Sequence, residues 1–185
     1  MPIRYKSAEE SRVTISELML PSHSNFSGKI HGGYVLSLLD QIAFACASKH
    51  SRAYCVTASV DTVDFLNPIE VGELVTMRAS INYVGRTSMV VGIRVEAENI
   101  QTGVVKHCNS SYFTMVARDD EGKGIEVDGL LLENITEIKR FLKAIKRIEM
   151  KQKRREEFDH ANFVPEDYLS DLKKYKVKVT STDRL

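Results

Sequence analysis

Residues 22–48 read SHSNFSGKIHGGYVLSLLDQIAFACAS, a polar, glycine-bearing loop that runs into a nearly apolar segment holding one carboxylate, Asp40. From Tyr34 to Ala47 the polar side chains are Ser37, Asp40 and Gln41. Steps of three and four residues put all of them on one narrow stripe of a helix. The rest of the circumference, from Val35 and Leu39 to Ile42 and Phe44, is too apolar for a helix lying on a surface, so this helix is expected to be buried. Burying an unpaired carboxylate is costly, so the stripe should face a polar partner surface or a cleft, and Asp40 is read as functional.

Beyond this helix the period of the pattern changes to two. In ELVTMRASINYV, residues 73–84, Val75, Met77, Ala79, Ile81 and Tyr83 alternate with Thr76, Arg78, Ser80 and Asn82, which predicts a strand with one wet face. The alternation returns at 87–98, with Met89, Val91, Ile93, Val95 and Ala97 as the dry row, and at 104–117; segments 54–65 and 11–19 supply two more strands. NPIEVGE, VGRT and NIQTG mark turns between them. Short connections between long alternating strands predict an antiparallel meander. Strands of this length, roughly 40 Å at about 3.3 Å per residue, can curl around one helix. The expected fold is α+β, a five-stranded antiparallel sheet wrapped around a central helix.

The bulk properties exclude several classes. The 185 residues hold 26 basic and 25 acidic side chains, a net charge of +1, so nothing global attracts nucleic acid or a membrane surface. Cys46, Cys55 and Cys108 lie far apart in segments read as helix or strand, as reduced core residues do. The start, MPIRYKSAEE, lacks the apolar stretch of a signal peptide, and no run reaches the roughly 18 apolar residues of a membrane span. A cytoplasmic, soluble protein is expected.

Three motifs stand in order along the chain: N25-F-S-G-K-I-H31-G-G-x4-L-x-D40, then VTASVDTVDFLNPIEVGELV, then VGRTSM at 84–89. Together they resemble the hotdog-fold acyl-CoA thioesterases of the brain-type acyl-CoA hydrolase group and its bacterial single-domain relatives, over residues 10–118 approximately. The chain departs from that pattern at Val90, where relatives commonly carry an acidic residue, and at Gln41, where many have Glu; both changes bear on chain-length preference or site polarity. The resemblance implies that Asn25 and Asp40 are the catalytic pair, that the Arg86, Thr87, Ser88 turn binds coenzyme A, and that two hotdog units build each site. With one unit here, a homodimer is the minimum and a trimer of dimers is expected.

The chemistry can also be argued from the residues. A thioester has an electrophilic carbonyl and a thiolate leaving group of low basicity, so it needs an activated water and a stabilised oxyanion more than a general acid. Asp40 suits the part of general base, or of nucleophile through a mixed anhydride. Asn25 carries an amide able to hold the water or the thioester oxygen. Gly32 and Gly33 sit where the loop meets the helix, whose first amides lack intrahelical partners, and Gly33 is the expected oxyanion donor. His31 and Gly32 are placed against the substrate, and a guanidinium with hydroxyls at Arg86, Thr87 and Ser88 suits phosphate oxygens.

Residues 130–157 place Leu131, Ile135, Ile138, Leu142, Ile145 and Ile148 at three- and four-residue steps, which predicts an added amphipathic helix. This segment carries net charge +4, whereas residues 1–129 carry −3. The expected organisation is a hotdog domain over 1–129 with a helical extension over 130–185. The expected function is hydrolysis of fatty acyl-CoA to free fatty acid and coenzyme A, with no metal or cofactor. Two alternatives are weaker. A hotdog enoyl-CoA hydratase would pair an Asp with a His, and no His stands in such a motif with Asp40. An acyl-CoA-sensing regulator needs a DNA-binding module, and about 20 residues before the loop are too few for one.

Overall fold

The structure, a computed structural model, describes Arg4–Val179. Its elements run β1 (Tyr5–Ser7), α1 (Ala8–Ser11), β2 (Val13–Leu18), α2 (Gly32–Ser51), β3 (Tyr54–Val60), β4 (Glu73–Val84), β5 (Ser88–Asn99), β6 (Val104–Arg118), β7 (Gly129–Leu131), α3 (Ile135–Asp159) and α4 (Pro165–Leu172). The chain divides into two compact units, Met1–Ile145 and Lys146–Leu185. In the second, the rings of Phe158, Phe163 and Tyr168 form a short aromatic series.

The first unit holds the expected five-stranded antiparallel sheet, in the order β2-β4-β5-β6-β3. The meander is its centre, β4-β5-β6; β2 and β3, the strands flanking the helix in sequence, are added at the two edges. The dry rows meet α2: Met77, Ala79, Val91, Val95, Phe113 and Met115 pack with Leu39, Ile42, Ala43 and Cys46 in one core. Burial pushes the Cys46 thiol up to about 12. A short parallel pair, β1 with β7, lies apart from the main sheet.

Three departures from the periodicity have local causes. β3 ends at Val60 after a register shift between Thr57 and Ser59, because residues 61–66 peel away and are held by other bonds. Asp61 N donates to Tyr112 O at 3.0 Å, Leu66 N to Cys108 O at 2.9 Å, and the buried Asn109 Nδ2 to Asp64 O at 2.9 Å. α3 begins at Ile135 rather than 130, since the Asn134 side chain accepts the Glu137 amide at 3.0 Å and Glu137 accepts Glu133 N at 2.9 Å. The outer face of β4 is only partly wet, with Ser80 and Asn82 buried.

At the C-terminal end of α2 a buried polar cluster closes the domain. Lys6 is buried, reaches Asp128 at 2.8 Å and donates to the His50 carbonyl. The His50 ring lies between Ser11 Oγ at 3.3 Å and Asp128 O at 3.1 Å. Desolvation holds the His50 imidazole below its usual value, partly opposed by Asp128 and Glu10 and reinforced by Lys6. The Lys6 hydrogen bond holds the Asp128 carboxyl below its usual value.

This cluster sets a pH dependence of stability. A base with a lowered folded pKa is protonated first in the unfolded chain, so stability is lost as pH falls below about 6.5, by up to about 1.4 kcal/mol per pH unit. Asp128 adds its own loss as pH falls below about 3.9, through its lowered folded value. Urea unfolding at pH 7.0 and 5.5 should show a lower midpoint at 5.5, and most of that difference should vanish in His50→Gln.

Candidate active site

α2 lies in the curl of the sheet, but not all of its circumference is covered within one chain. Leu36, Ser37, Asp40, Gln41 and Phe44 form an exposed row. The expected polar stripe is therefore there, with Leu36 (37% exposed) and Phe44 (40%) on either side of Asp40. The helix is long and apolar enough to be buried all round; the single chain buries it on the sheet side.

Asp40 is met by a residue that the motif reading passed over. Thr57, on the edge strand β3, donates from Oγ1 to Asp40 Oδ1 at 2.5 Å. Its signal lay inside the quoted VTASVDTVDF: a hydroxyl in a strand that directly follows the helix across a two-residue turn. The bond fixes the carboxylate rotamer and leaves Oδ2 without a hydrogen bond among the described residues.

Asn25 is committed more than its free amide suggested. Its Oδ1 accepts from Ser27 N at 2.9 Å, Ser27 Oγ at 2.7 Å and Lys29 N at 3.2 Å. The oxygen thus organises the 25–29 turn, which reaches the left-handed region at Gly28 (φ 77°). Nδ2 makes no hydrogen bond among the described residues, so what Asn25 offers a ligand is a donor.

The helix start is capped by His31. Its Nδ1 accepts the Gly33 amide at 3.0 Å, which places the ring proton on Nε2. Tyr34 and Val35 amides turn to the His31 carbonyl, leaving the Gly32 amide as the one without a hydrogen bond among these first turns. A carbonyl oxygen bound at Gly33 therefore displaces the His31 ring, whereas the Gly32 amide has no hydrogen bond to give up. The helix start is also braced by the His23 and Tyr34 rings, stacked at 4.0 Å. Tyr34 donates to Glu17, and that bond raises the Tyr34 hydroxyl above its usual value.

Arg86 and Thr87 occupy the tight turn between β4 and β5 and Ser88 opens β5, with Gly85 N bonded to Ser88 O at 2.7 Å. The exposed Arg86 borders a cavity of about 440 Å³ lined with Tyr5, Val127 and Phe141. Register places this turn at the level of Asp40, since Met89 pairs with Met115, which pairs with Thr57. Two strand spacings and three residues of rise put Arg86 roughly 14 Å from Thr57.

One chain thus gathers three separate clusters: Asp40 with Thr57; Asn25, His31, Gly32 and Gly33 around the helix start; and the Arg86 turn. It does not join the first two. Gly33 and Asp40 share one face of α2, seven residues apart, so about 10.5 Å of helix separates them. Among the described residues no three His, Cys, Asp or Glu side chains are grouped to hold a metal, and no helix is long and apolar enough to cross a membrane.

Comparison with known proteins places the chain in a family. A sequence model of the thioesterase superfamily matches residues 27–104. Protein VdlD of Helicobacter pylori is 44% identical over 144 residues, covering 78% of this chain and 82% of that one. The uncharacterized acyl-CoA thioester hydrolase YkhA of Bacillus subtilis is 34% identical over 147 residues, covering 80% and 86%. The chain belongs to the acyl-CoA thioester hydrolases of the thioesterase superfamily. Among solved structures, an apo-hexameric acyl-CoA thioesterase superposes with this thioesterase at a TM-score of 0.80, with 37% identity over 82% of this chain and 97% of that one. The acyl-CoA hydrolase of Staphylococcus aureus, in complex with butyryl coenzyme A, coenzyme A and coenzyme A disulfide, gives 0.78 with 33% identity over 90% and 99%. That hydrolase has also been solved with an aspartate, an asparagine or a threonine changed to alanine.

Replacing Asp40 by Asn keeps shape and removes the carboxylate, and thioester turnover should fall 10²- to 10⁴-fold while acyl-CoA still binds. Thr57→Val removes one hydrogen bond to a charged group, about 1.5–3 kcal/mol, so kcat should fall roughly 10- to 150-fold with KM little changed. Steady-state thiol release measures both, and a Thr57→Val enzyme at wild-type kcat would detach Thr57 from the chemistry.

Proposed function

We propose that this thioesterase hydrolyses fatty acyl-CoA to free fatty acid and coenzyme A, in the cytoplasm and without a metal or cofactor, and that residues 1–129 carry the activity with 130–185 as an extension. The observation that carries the reading is the Asp40 carboxylate, oriented by Thr57 on an open stripe of a helix that begins His-Gly-Gly. In the proposed reaction Asp40 Oδ2 takes a proton from the attacking water, which adds to the thioester carbonyl carbon. The oxyanion is received by backbone amides at the start of α2, Gly33 once the His31 ring has moved or Gly32 beside it, helped by the Asn25 Nδ2. Collapse of the tetrahedral adduct expels the coenzyme A thiolate, whose low basicity makes a strong acid unnecessary.

The helix spacing supports a site shared between two chains. Gly33 and Asp40 of one copy stand about 10.5 Å apart along a rigid helix, so an oxyanion held at the first and a water held by the second meet only at full stretch, whereas a second copy can bring its helix start directly against Asp40. If a second copy sets its helix start against the first copy's Asp40, two complete sites form at one two-fold interface. The exposed surface supports that arrangement: Leu36 and Phe44 beside Asp40, Tyr54 at 5.8 Å from the Phe44 ring, and the outer edge of β3, which pairs only with β6. A homodimer is the proposed minimum and a trimer of dimers the proposed assembly, the hexameric similar structure supporting it. Arg86, Thr87 and Ser88 are proposed to hold the coenzyme A phosphates, with the long pantetheine arm spanning the distance to Asp40.

Arg86→Met should raise KM for acyl-CoA much more than it lowers kcat, because the phosphates are held alike in ground and transition states. The penalty should shrink as salt rises. Equal KM values at low salt would remove the turn from the binding site.

Mixing tests the shared site directly. Asn25→Ala and Asp40→Asn should each be nearly inactive alone, yet a hybrid dimer has one site with both wild-type residues. Random co-refolding makes about half the dimers hybrid, so about a quarter of wild-type activity should return. Absence of recovery in a mixture that mass spectrometry shows to contain hybrids would place both residues in one chain's site or separate their roles.

A further inference from the structure

The outer face of the sheet, opposite α2, carries a second cavity of about 480 Å³, bounded by strands β4, β5 and β6, by Arg12, and by the first turns of α3. A solvated outer face would show exposed polar side chains in alternation, but here Ser80 and Asn82 are buried, at 8% and 6% exposure. Asn82 Oδ1 accepts from Ser80 Oγ at 3.2 Å, while Asn82 Nδ2 makes no hydrogen bond among the described residues and belongs to the cavity wall. That nitrogen is open to the cavity and not sealed in the core: among the described residues the sealed side-chain polar atom without a partner is Ser48 Oγ. The space the Asn82 amide occupies exists only because residue 92 is glycine: a Cβ there would lie 2.1 Å from Asn82 Nδ2. The unpaired donor is thus built into the sheet from two strands.

The charge around it is unbalanced in the matching sense. Arg78 and Arg94 stand directly opposite each other on β4 and β5, a like-charge pair that is unfavourable across strands. They share one carboxylate, Glu96, which Arg94 reaches at 2.8 Å and Arg78 also contacts; their two hydrogen bonds hold the Glu96 carboxyl below its usual value. Arg12 bonds Glu9 and lies 3.8 Å from the buried Glu137. Arg140, above the same cavity, makes no ion pair or hydrogen bond among the described residues. Four guanidinium groups and an unpaired amide therefore meet three carboxylates.

We propose that this outer cavity is a binding site for a small phosphate-bearing ligand, separate from the thioester site. Guanidinium forks match the oxygens of a phosphate group, and the Asn82 amide supplies a fixed donor at the floor. The volume lies within the range of small-ligand sites and far exceeds one halide ion, so the ligand is a diphosphate or a phosphate ester. The sheet lies between it and α2, and the Arg86 turn is not part of its wall. The proposal does not rest on the hydrolytic reading.

Isothermal titration of the full chain with inorganic pyrophosphate, and separately with ribose 5-phosphate, at low ionic strength tests it. The expected result is one saturable site per chain for at least one of the two, the tighter of them showing whether diphosphate or ester is preferred. Arg94→Met and Asn82→Ala should each weaken that Kd at least tenfold, Arg86→Met should leave it within twofold, and higher salt should weaken it. If Arg94→Met does not fold, as judged by circular dichroism, Arg140→Met on the exposed wall replaces it with the same expectation. No saturable binding, or binding removed by Arg86→Met and indifferent to Arg94→Met, overturns the proposal.

Discussion

Everything in the first unit depends on one packing constraint: α2 must bury an apolar arc about 30 Å long, from the 20 residues of Gly32–Ser51, and only a curled sheet of long strands covers it. Leu39, Ile42, Ala43 and Cys46 are fully inaccessible because residues of β4, β5 and β6 meet them together. Truncating any of the larger ones to Ala would cost about 2–5 kcal/mol. The same constraint fixes the site. A helix held along its length by a sheet cannot rotate, so the stripe it leaves open is set by the core, and Asp40 faces outward because Leu39 and Ile42 face in.

The core rows were legible because burial on one side of a strand writes a period of two into the sequence, and Met77, Val91 and Val95 all fall where that period puts them. So was the helix, through its apolar run, and Asp40, through its isolation on that run. What the periods could not carry was anything decided by a contact distant in sequence. The end of β3 at Val60 depends on Asn109 reaching Asp64 across the fold, and Ser80 and Asn82 line one cavity with Thr136, Glu137 and Arg140, more than 50 positions away. Thr57 reads as one more strand hydroxyl until β3 lies beside α2. At the helix start, an HGG signature shows the glycines but not that the His31 ring takes up the Gly33 amide.

That hydrogen bond changes how the helix start is to be understood. The His31 ring accepts the Gly33 amide, so the first turn of α2 is closed by its own cap and that donor is not left open. Asn25 shows the same economy: its oxygen holds its own loop through three donors, and only its amide hydrogens are left to offer. Both residues are preorganised by local bonds, whereas the Asp40 carboxylate is oriented from a different strand. Site geometry is thus set partly by the loop before the helix and partly by the strand after it, with the rigid helix fixing the distance between them.

The buried thiols have a chemical consequence of their own. A thioesterase releases coenzyme A, and where that thiol has been oxidised to its disulfide, a protein thiolate can attack it, forming a mixed disulfide and expelling one coenzyme A thiolate. Cys46, Cys55 and Cys108 are all free and buried, and burial pushes the Cys46 thiol up to about 12, so at neutral pH its thiolate fraction is on the order of 10⁻⁵. Desolvation raises the Cys108 thiol as well. Disulfide exchange needs both a thiolate and access to it. The cysteines are thereby kept out of reach of the disulfide form of coenzyme A, so exchange with it finds neither an exposed sulfur nor a populated Cys46 thiolate.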